Sequence, residues 1–150
     1  KNEAAFRLAK RERFHAVYSS IKNKKDALMH LCDTQGITPH EVAYFFDDVL
    51  DLSVAEHCGL RMMIGRQGSP LFTALVQERR MSDYTTACSG GNNGLREACE
   101  LLIGLSGRYT DTIIQRVQYT DTYNQYITER NAQASSFYTA NGSAIIEQQP

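Results

Sequence analysis

Glu41-Val42-Ala43-Tyr44-Phe45-Phe46-Asp47-Asp48-Val49-Leu50-Asp51 joins an apolar run to three closely spaced carboxylates. Val42 to Phe46 is a short, continuous apolar run rich in β-branched and aromatic residues, which suits a strand buried on both faces of a parallel sheet. Asp47 and Asp48 then fall at the strand's carboxyl end, the edge at which open α/β sheets bind ligands. A single aspartate there reads most simply as a helix cap, since Asp is a favoured N-cap and stabilises a first turn electrostatically. Three between positions 47 and 51, behind a buried strand, favour a site built for chemistry.

The flanking segments alternate in character. Upstream, residues 1–12 are predicted helical, with Ala4, Ala5, Leu8 and Ala9 at helical spacing, and Phe14 to Tyr18 alternates weakly as a short strand. A second helix starts at Lys24, carries the stripe Ala27, Leu28, Leu31 and Cys32, and stops at Gly36; Thr38-Pro39 is a loop. Downstream, a short helix through Val54, Ala55 and Cys58 ends at Gly59, and Leu60 to Ile64 is the next strand. After a loop over Gly65–Gly68, Ser69-Pro70 opens a helix to about Arg79, with Ser as its cap. Asp83 to Thr86 is a last short strand. Ser89 to Gly94 is a polar, flexible loop, and Asn92 or Asn93 caps a helix whose Leu95, Cys99 and Leu102 form the inner stripe. The alternation predicts an α/β fold, a three-layer αβα arrangement around a parallel sheet.

From Gly107 the pattern changes. Tyr109, Ile113, Val117, Tyr123 and Ile127 fall on one arc of a helix, which therefore has a face to bury on its own domain or on another subunit. Residues 131–150, rich in Ala, Ser, Asn and Gln, read as a loosely held tail. The expected division is a core over residues 1–106 and a C-terminal helical extension with its tail over 107–150.

Composition narrows the function classes. A chain of 150 residues is long enough to bury one core. No apolar run approaches the length needed to span a bilayer, and the N-terminus lacks the apolar core of a signal peptide, so a cytoplasmic location without membrane contact is expected. Cys32, Cys58, Cys88 and Cys99 are scattered without a C-x-x-C pair, which points to free thiols in a reducing compartment. The four histidines, His15, His30, His40 and His57, show no metal-ligand spacing. The net charge of −1 conceals eight Lys or Arg against two Glu in residues 1–25. Arg7, Lys10, Arg11 and Arg13 read as the solvated face of a helix, and without aromatic interleaving no nucleic-acid partner is expected.

Lys24, the run Val42 to Asp51, Val54 through Leu60, and Gly90-Gly91-Asn92-Asn93-Gly94-Leu95-Arg96-Glu97 together resemble the haloacid dehalogenase superfamily. More narrowly they are similar to its capless branch of 3-deoxy-D-manno-octulosonate 8-phosphate phosphatases. The resemblance covers roughly residues 1–105. It implies a magnesium-dependent phosphomonoester hydrolase acting on a small phosphorylated sugar acid and assembled as a homo-oligomer, typically a tetramer. By the same resemblance, Asp47 corresponds to the carboxylate that binds Mg2+ directly. Asp48 and Asp51 correspond to the neighbours that orient metal-bound water and the catalytic lysine. Lys24 matches that lysine, with Lys25 as the fallback, and Arg96 is a candidate substrate-binding residue. A lysine at a helix start is otherwise a solvated side chain, and Arg96 a surface arginine.

Two departures stand out. Phe46 occupies the position where the family pattern has Gly, and no Asp-x-Asp, the family's nucleophile motif, occurs in the 150 residues. The Ser/Thr phosphate-binding motif is also absent, so the chain resembles the C-terminal two-thirds of such an enzyme. By itself it is expected not to turn over phosphate esters. The alternative expectation is a noncatalytic, phosphatase-like oligomerisation module, resembling the C-terminal domain of animal CMP-sialic acid synthetases.

Overall fold

The computed structural model describes residues 3–142 and 144–149, and the chain forms two compact units, Lys24–Tyr109 and residues 1–23 together with 110–150. This grouping differs from the expected division at residue 106, because the N-terminal segment pairs with the C-terminal one.

In Lys24–Tyr109 three parallel strands lie in the order β2 (Ala43–Phe46), β3 (Leu60–Gly65), β4 (Tyr84–Ser89). Helix α2 (Lys24–Gln35) precedes them, α3 (Leu52–Ala55) and α4 (Pro70–Glu78) connect them, and α5 (Gly94–Leu105) follows. The strand alternation sorts the side chains between layers. Tyr44 packs with Leu28 and Cys32 of α2 and Val54 of α3, and it joins Phe46 and Met63 against Ala55 of α3 and Val76 of α4. Phe45, Met62 and Ile64 face the other way, onto Ala98, Leu101 and Leu102 of α5. The continuous apolar run is thus explained: β2 is covered on both faces, and the expected αβα layering around a parallel sheet is present. Phe46, at the position of the family's Gly, is turned into the core and buried.

The local signals are met in part. Gly36 has a φ of +65, the left-handed conformation that ends α2. Thr38 and Glu41 form a capping box around a 3-10 turn, Pro39–Glu41, that leads into β2. Ser69 does not cap α4 with its side chain; its carbonyl instead accepts from the Thr73 amide and hydroxyl. Asn93 stands at the N-cap of α5 in a left-handed conformation, also without a side-chain cap bond. The inner face of α5 is Gly94, Ala98, Leu101 and Leu102 rather than Leu95, Cys99 and Leu102, and Leu95 and Cys99 are exposed. Small residues win that face because the helix lies close: a Cβ at Gly94 would stand 2.5 Å from the Cys88 carbonyl oxygen.

The other unit holds α1 (Glu3–Glu12), β1 (Ala16–Ser19), α6 (Tyr109–Gln118, from Thr110 onward), α7 (Asp121–Ala132), β5 (Ser136–Asn141) and β6 (Ala144–Glu147). Residues 1 and 2 of the expected first helix lie outside the described residues, as do 143 and 150 of the expected tail. The tail is not loose over Ser136–Asn141 and Ala144–Glu147. β5 pairs parallel with β1 and antiparallel with β6. Phe137 is buried, stacked on Phe6 at 5.1 Å, and Tyr138 stacks on Tyr18, its register partner, also at 5.1 Å. These aromatic pairs supply the apolar area that the polar composition of the segment conceals. The single helix expected after Gly107 is two. Tyr119 takes a φ of +50, and the Thr120 side chain accepts from the Tyr123 amide to start α7 afresh. Among the described residues no helix is long and apolar enough to cross a membrane.

Candidate active site

The carboxyl edge of β2 turns directly into a second 3-10 turn, Val49–Asp51, and then into α3. Asp48 caps that turn: its Oδ1 accepts from the Leu50 amide at 2.9 Å, and the Asp51 amide donates to its carbonyl. The capping role open to any aspartate in this run therefore belongs to Asp48. Its other oxygen, Oδ2, lies 3.7 Å from the Arg66 guanidinium, in the loop that follows β3.

Asp51 is the buried member of the trio, with 7% of its surface exposed. A carboxylate so placed requires partners. Its Oδ1 accepts from Lys24 Nζ at 2.5 Å and from the Tyr44 hydroxyl at 2.9 Å. Lys24 is the first residue of α2, and its side chain keeps 45% exposure, so the ammonium is held at a site open to solvent. Burial above all, then the hydrogen bond to Asp51, push the Tyr44 phenol far above its usual range, and the hydroxyl remains a donor.

Asp47 is exposed at the same edge, and no side-chain hydrogen bond or ion pair engages it among the described residues. Nor do three His, Cys, Asp or Glu side chains converge there as a full protein-built metal cage would require. Arg96 stands apart from this cluster: it is exposed on α5 and pairs with Glu100 one turn along, at 3.4 Å. The neighbouring Glu97 is the structural member of that segment. Its carboxylate accepts from the Tyr84 hydroxyl at 2.6 Å and from the Ala87 and Cys88 amides at 2.9 and 2.8 Å. Those bonds, the Tyr84 hydroxyl foremost, hold its pKa down at about 2.

The structure therefore joins Lys24 with Asp51, sets Asp47 and Asp48 at the same strand end, and leaves Arg96 outside the cluster. Sequence reasoning missed Tyr44 and Arg66. A tyrosine in an otherwise wholly apolar strand was the signal for the first, since a buried phenol needs a partner. A charged residue directly after a strand's carboxyl end was the signal for the second.

The chain is similar to known proteins. The chain is 33% identical over 92 residues to the 3-deoxy-D-manno-octulosonate 8-phosphate phosphatase KdsC of Escherichia coli (strain K12) and to that of Salmonella typhimurium, a match covering 61% of this chain and 45% of the relatives. Over these residues it is homologous to the octulosonate phosphatases. The homology is of modest identity and supports the resemblance to the haloacid dehalogenase superfamily. The chain spans about half the length of these phosphatase relatives. Among solved structures, the 3-deoxy-D-manno-octulosonate 8-phosphate phosphatase of Moraxella catarrhalis, in complex with magnesium, phosphate and a KDO molecule, superposes with a TM-score of 0.64 at 27% identity. That superposition covers 77% of this chain and 62% of the phosphatase. The fold is thus the mixed α/β fold of the haloacid dehalogenase-like phosphatases. No protein-family model matches the chain.

Proposed function

We propose that this chain carries the metal-and-lysine portion of a phosphomonoesterase site whose substrate is a small phosphorylated sugar acid, of the 3-deoxy-D-manno-octulosonate 8-phosphate kind. The observation that carries the reading is the Lys24–Asp51 contact at 2.5 Å, made across 27 residues at the strand edge that also bears Asp47 and Asp48. Homology to octulosonate phosphatases supports the substrate class.

The residues present fit a magnesium ion. Asp47 offers a hard oxygen donor, exposed and without a cation in the chain to compete for it among the described residues. Magnesium keeps several waters and takes one or two carboxylates plus substrate phosphate, so no complete protein cage is needed. Bound there, the ion would neutralise charge on the transferring phosphoryl group. Lys24 brings a second positive charge, aimed by Asp51, to the phosphate oxygens. Asp48 shapes the turn that presents Asp47, and Arg66 beside it offers spare donors to an anionic part of the substrate. Arg96, exposed on α5, is a peripheral candidate for substrate contact. A homotetramer in the cytoplasm is the expected setting.

The test is magnesium-dependent phosphate release from 3-deoxy-D-manno-octulosonate 8-phosphate and a panel of phosphorylated sugars, by the product of the complete reading frame containing these residues. Release on the sugar acid supports the reading, and no release from any ester overturns it.

Exposed apolar residues on α6, Ile113, Ile114 and Val117, favour a second reading, a noncatalytic module that assembles oligomers. Catalytic silence together with a stable oligomer in solution is the outcome that selects it.

A further inference from the structure

Lys24 reaches the site on a flexible four-carbon stem, and its side chain is too exposed to be fixed by packing. Its position is therefore set by whatever holds its carboxylate partner. Asp51 ends a three-residue 3-10 turn, where rotation of the carboxylate about its own axis would carry Oδ1 away from the lysine. Tyr44 opposes that rotation. Its ring packs into both clusters on one side of the sheet, with Leu28, Cys32, Val54 and Cys58 and with Phe46, Ala55, Met63 and Val76, and it lies nearly parallel to Phe46 at 6.3 Å. Core packing thus fixes where the hydroxyl stands, and the hydroxyl donates at 2.9 Å to the same oxygen that Lys24 contacts. A hydroxyl-to-carboxylate bond is among the stronger hydrogen bonds because its acceptor is ionised.

We propose that Tyr44 is a positioning residue of the site: its hydroxyl locks the Asp51 carboxylate that in turn aims the Lys24 ammonium. The role in catalysis rests on the phosphomonoesterase reading above, whereas the Tyr44–Asp51–Lys24 relay is a property of the chain without metal or substrate. Tyr44 couples the sheet core to the site, so that the strand which positions Asp47 at its end also positions the lysine. Its hydroxyl touches no reacting group in this arrangement and acts only through Asp51.

The experiment follows the side-chain 15Nζ signal of Lys24 by NMR in the full chain without magnesium or substrate, assigned by its loss in Lys24→Arg. In the wild type an ordered, slowly exchanging ammonium is expected. In Tyr44→Phe, which keeps the ring and removes only the hydroxyl, its exchange with water becomes about tenfold faster or the signal is lost. Ring packing alone would leave that signal untouched, so an unchanged Lys24 exchange rate in a folded Tyr44→Phe overturns the proposal. Absence of an ordered Lys24 signal in the wild type overturns it as well. Should Tyr44→Phe fail to fold, the wild-type Tyr44 hydroxyl proton decides: protection from solvent exchange supports the bond, and rapid exchange removes it. The two readings fail separately, because phosphate release can be absent while the relay is intact, and the relay can be absent in an active phosphatase.

Discussion

Lys24 and Asp51 meet at 2.5 Å, the first residue of α2 against the last residue of the turn that follows β2. The pair is asymmetric in burial, and that asymmetry sets what each member is worth. Removing Asp51 leaves the Tyr44 hydroxyl in the core without its acceptor and the lysine without its partner. Asp51→Ala is expected to cost about 2 kcal/mol in urea unfolding. Lys24→Met removes a half-exposed cation and leaves Asp51 bonded to Tyr44, so its cost is expected to stay below about 1 kcal/mol. A larger loss for Lys24→Met than for Asp51→Ala would contradict this division.

Glu97 makes stability depend on acid. Its folded pKa lies below the ordinary carboxylate value of 4.5, at about 2. A depressed carboxylate contributes stability that is fully present above the unfolded value and is lost as pH falls through the folded one. The advantage of wild type over Glu97→Gln should therefore be constant above about pH 5, shrink below it and vanish near pH 2. Thermal melts of both proteins across that range check this, and an advantage that persists unchanged at the acid end would refute it.

Two glycines of α5 should respond oppositely to alanine. At Gly94 a Cβ would stand 2.5 Å from the Cys88 carbonyl oxygen and 2.9 Å from Ile64 Cγ2, so Gly94→Ala should destabilise by about 1–3 kcal/mol. At Gly104 nothing lies within 4 Å, and Gly104→Ala should stabilise the helix by roughly 0.5–1 kcal/mol. An unchanged or raised denaturation midpoint for Gly94→Ala would show that close packing of α5 on β3 and β4 does not limit that site, and a lowered one for Gly104→Ala would refute the second expectation.

How far the sequence can be read follows from where the information lies. β2 was legible because covering both faces of a strand demands an unbroken apolar run, and the end of α2 because only Gly36 takes a left-handed conformation cheaply there. The aspartates stood out by clustering behind a buried apolar run, whereas Lys24 was singled out through resemblance alone, since neither spacing nor charge separates a lysine that meets Asp51 from a solvated one. The inner face of α5 was misread because Gly94 and Ala98 carry almost no hydrophobic signal while making its closest contacts. The strands β5 and β6 were hidden for another reason: Ser136–Asn141 is held by pairing with β1, more than a hundred residues away in sequence, and not by its own periodicity. The break at Tyr119–Thr120 was present in the sequence as a Thr-Asp cap, masked by apolar residues that continue in phase across it.

The proposed phosphoryl-transfer site at the carboxyl edge of β2 is organised by Asp47. Its most direct test compares magnesium-dependent phosphate release from 3-deoxy-D-manno-octulosonate 8-phosphate by the complete reading-frame product and by its Asp47→Asn variant. The substitution keeps the side chain's size and removes its charge. Activity should fall by about two orders of magnitude or more, with weakened magnesium binding in the same variant. Full activity of Asp47→Asn at the same magnesium concentration would contradict the assignment.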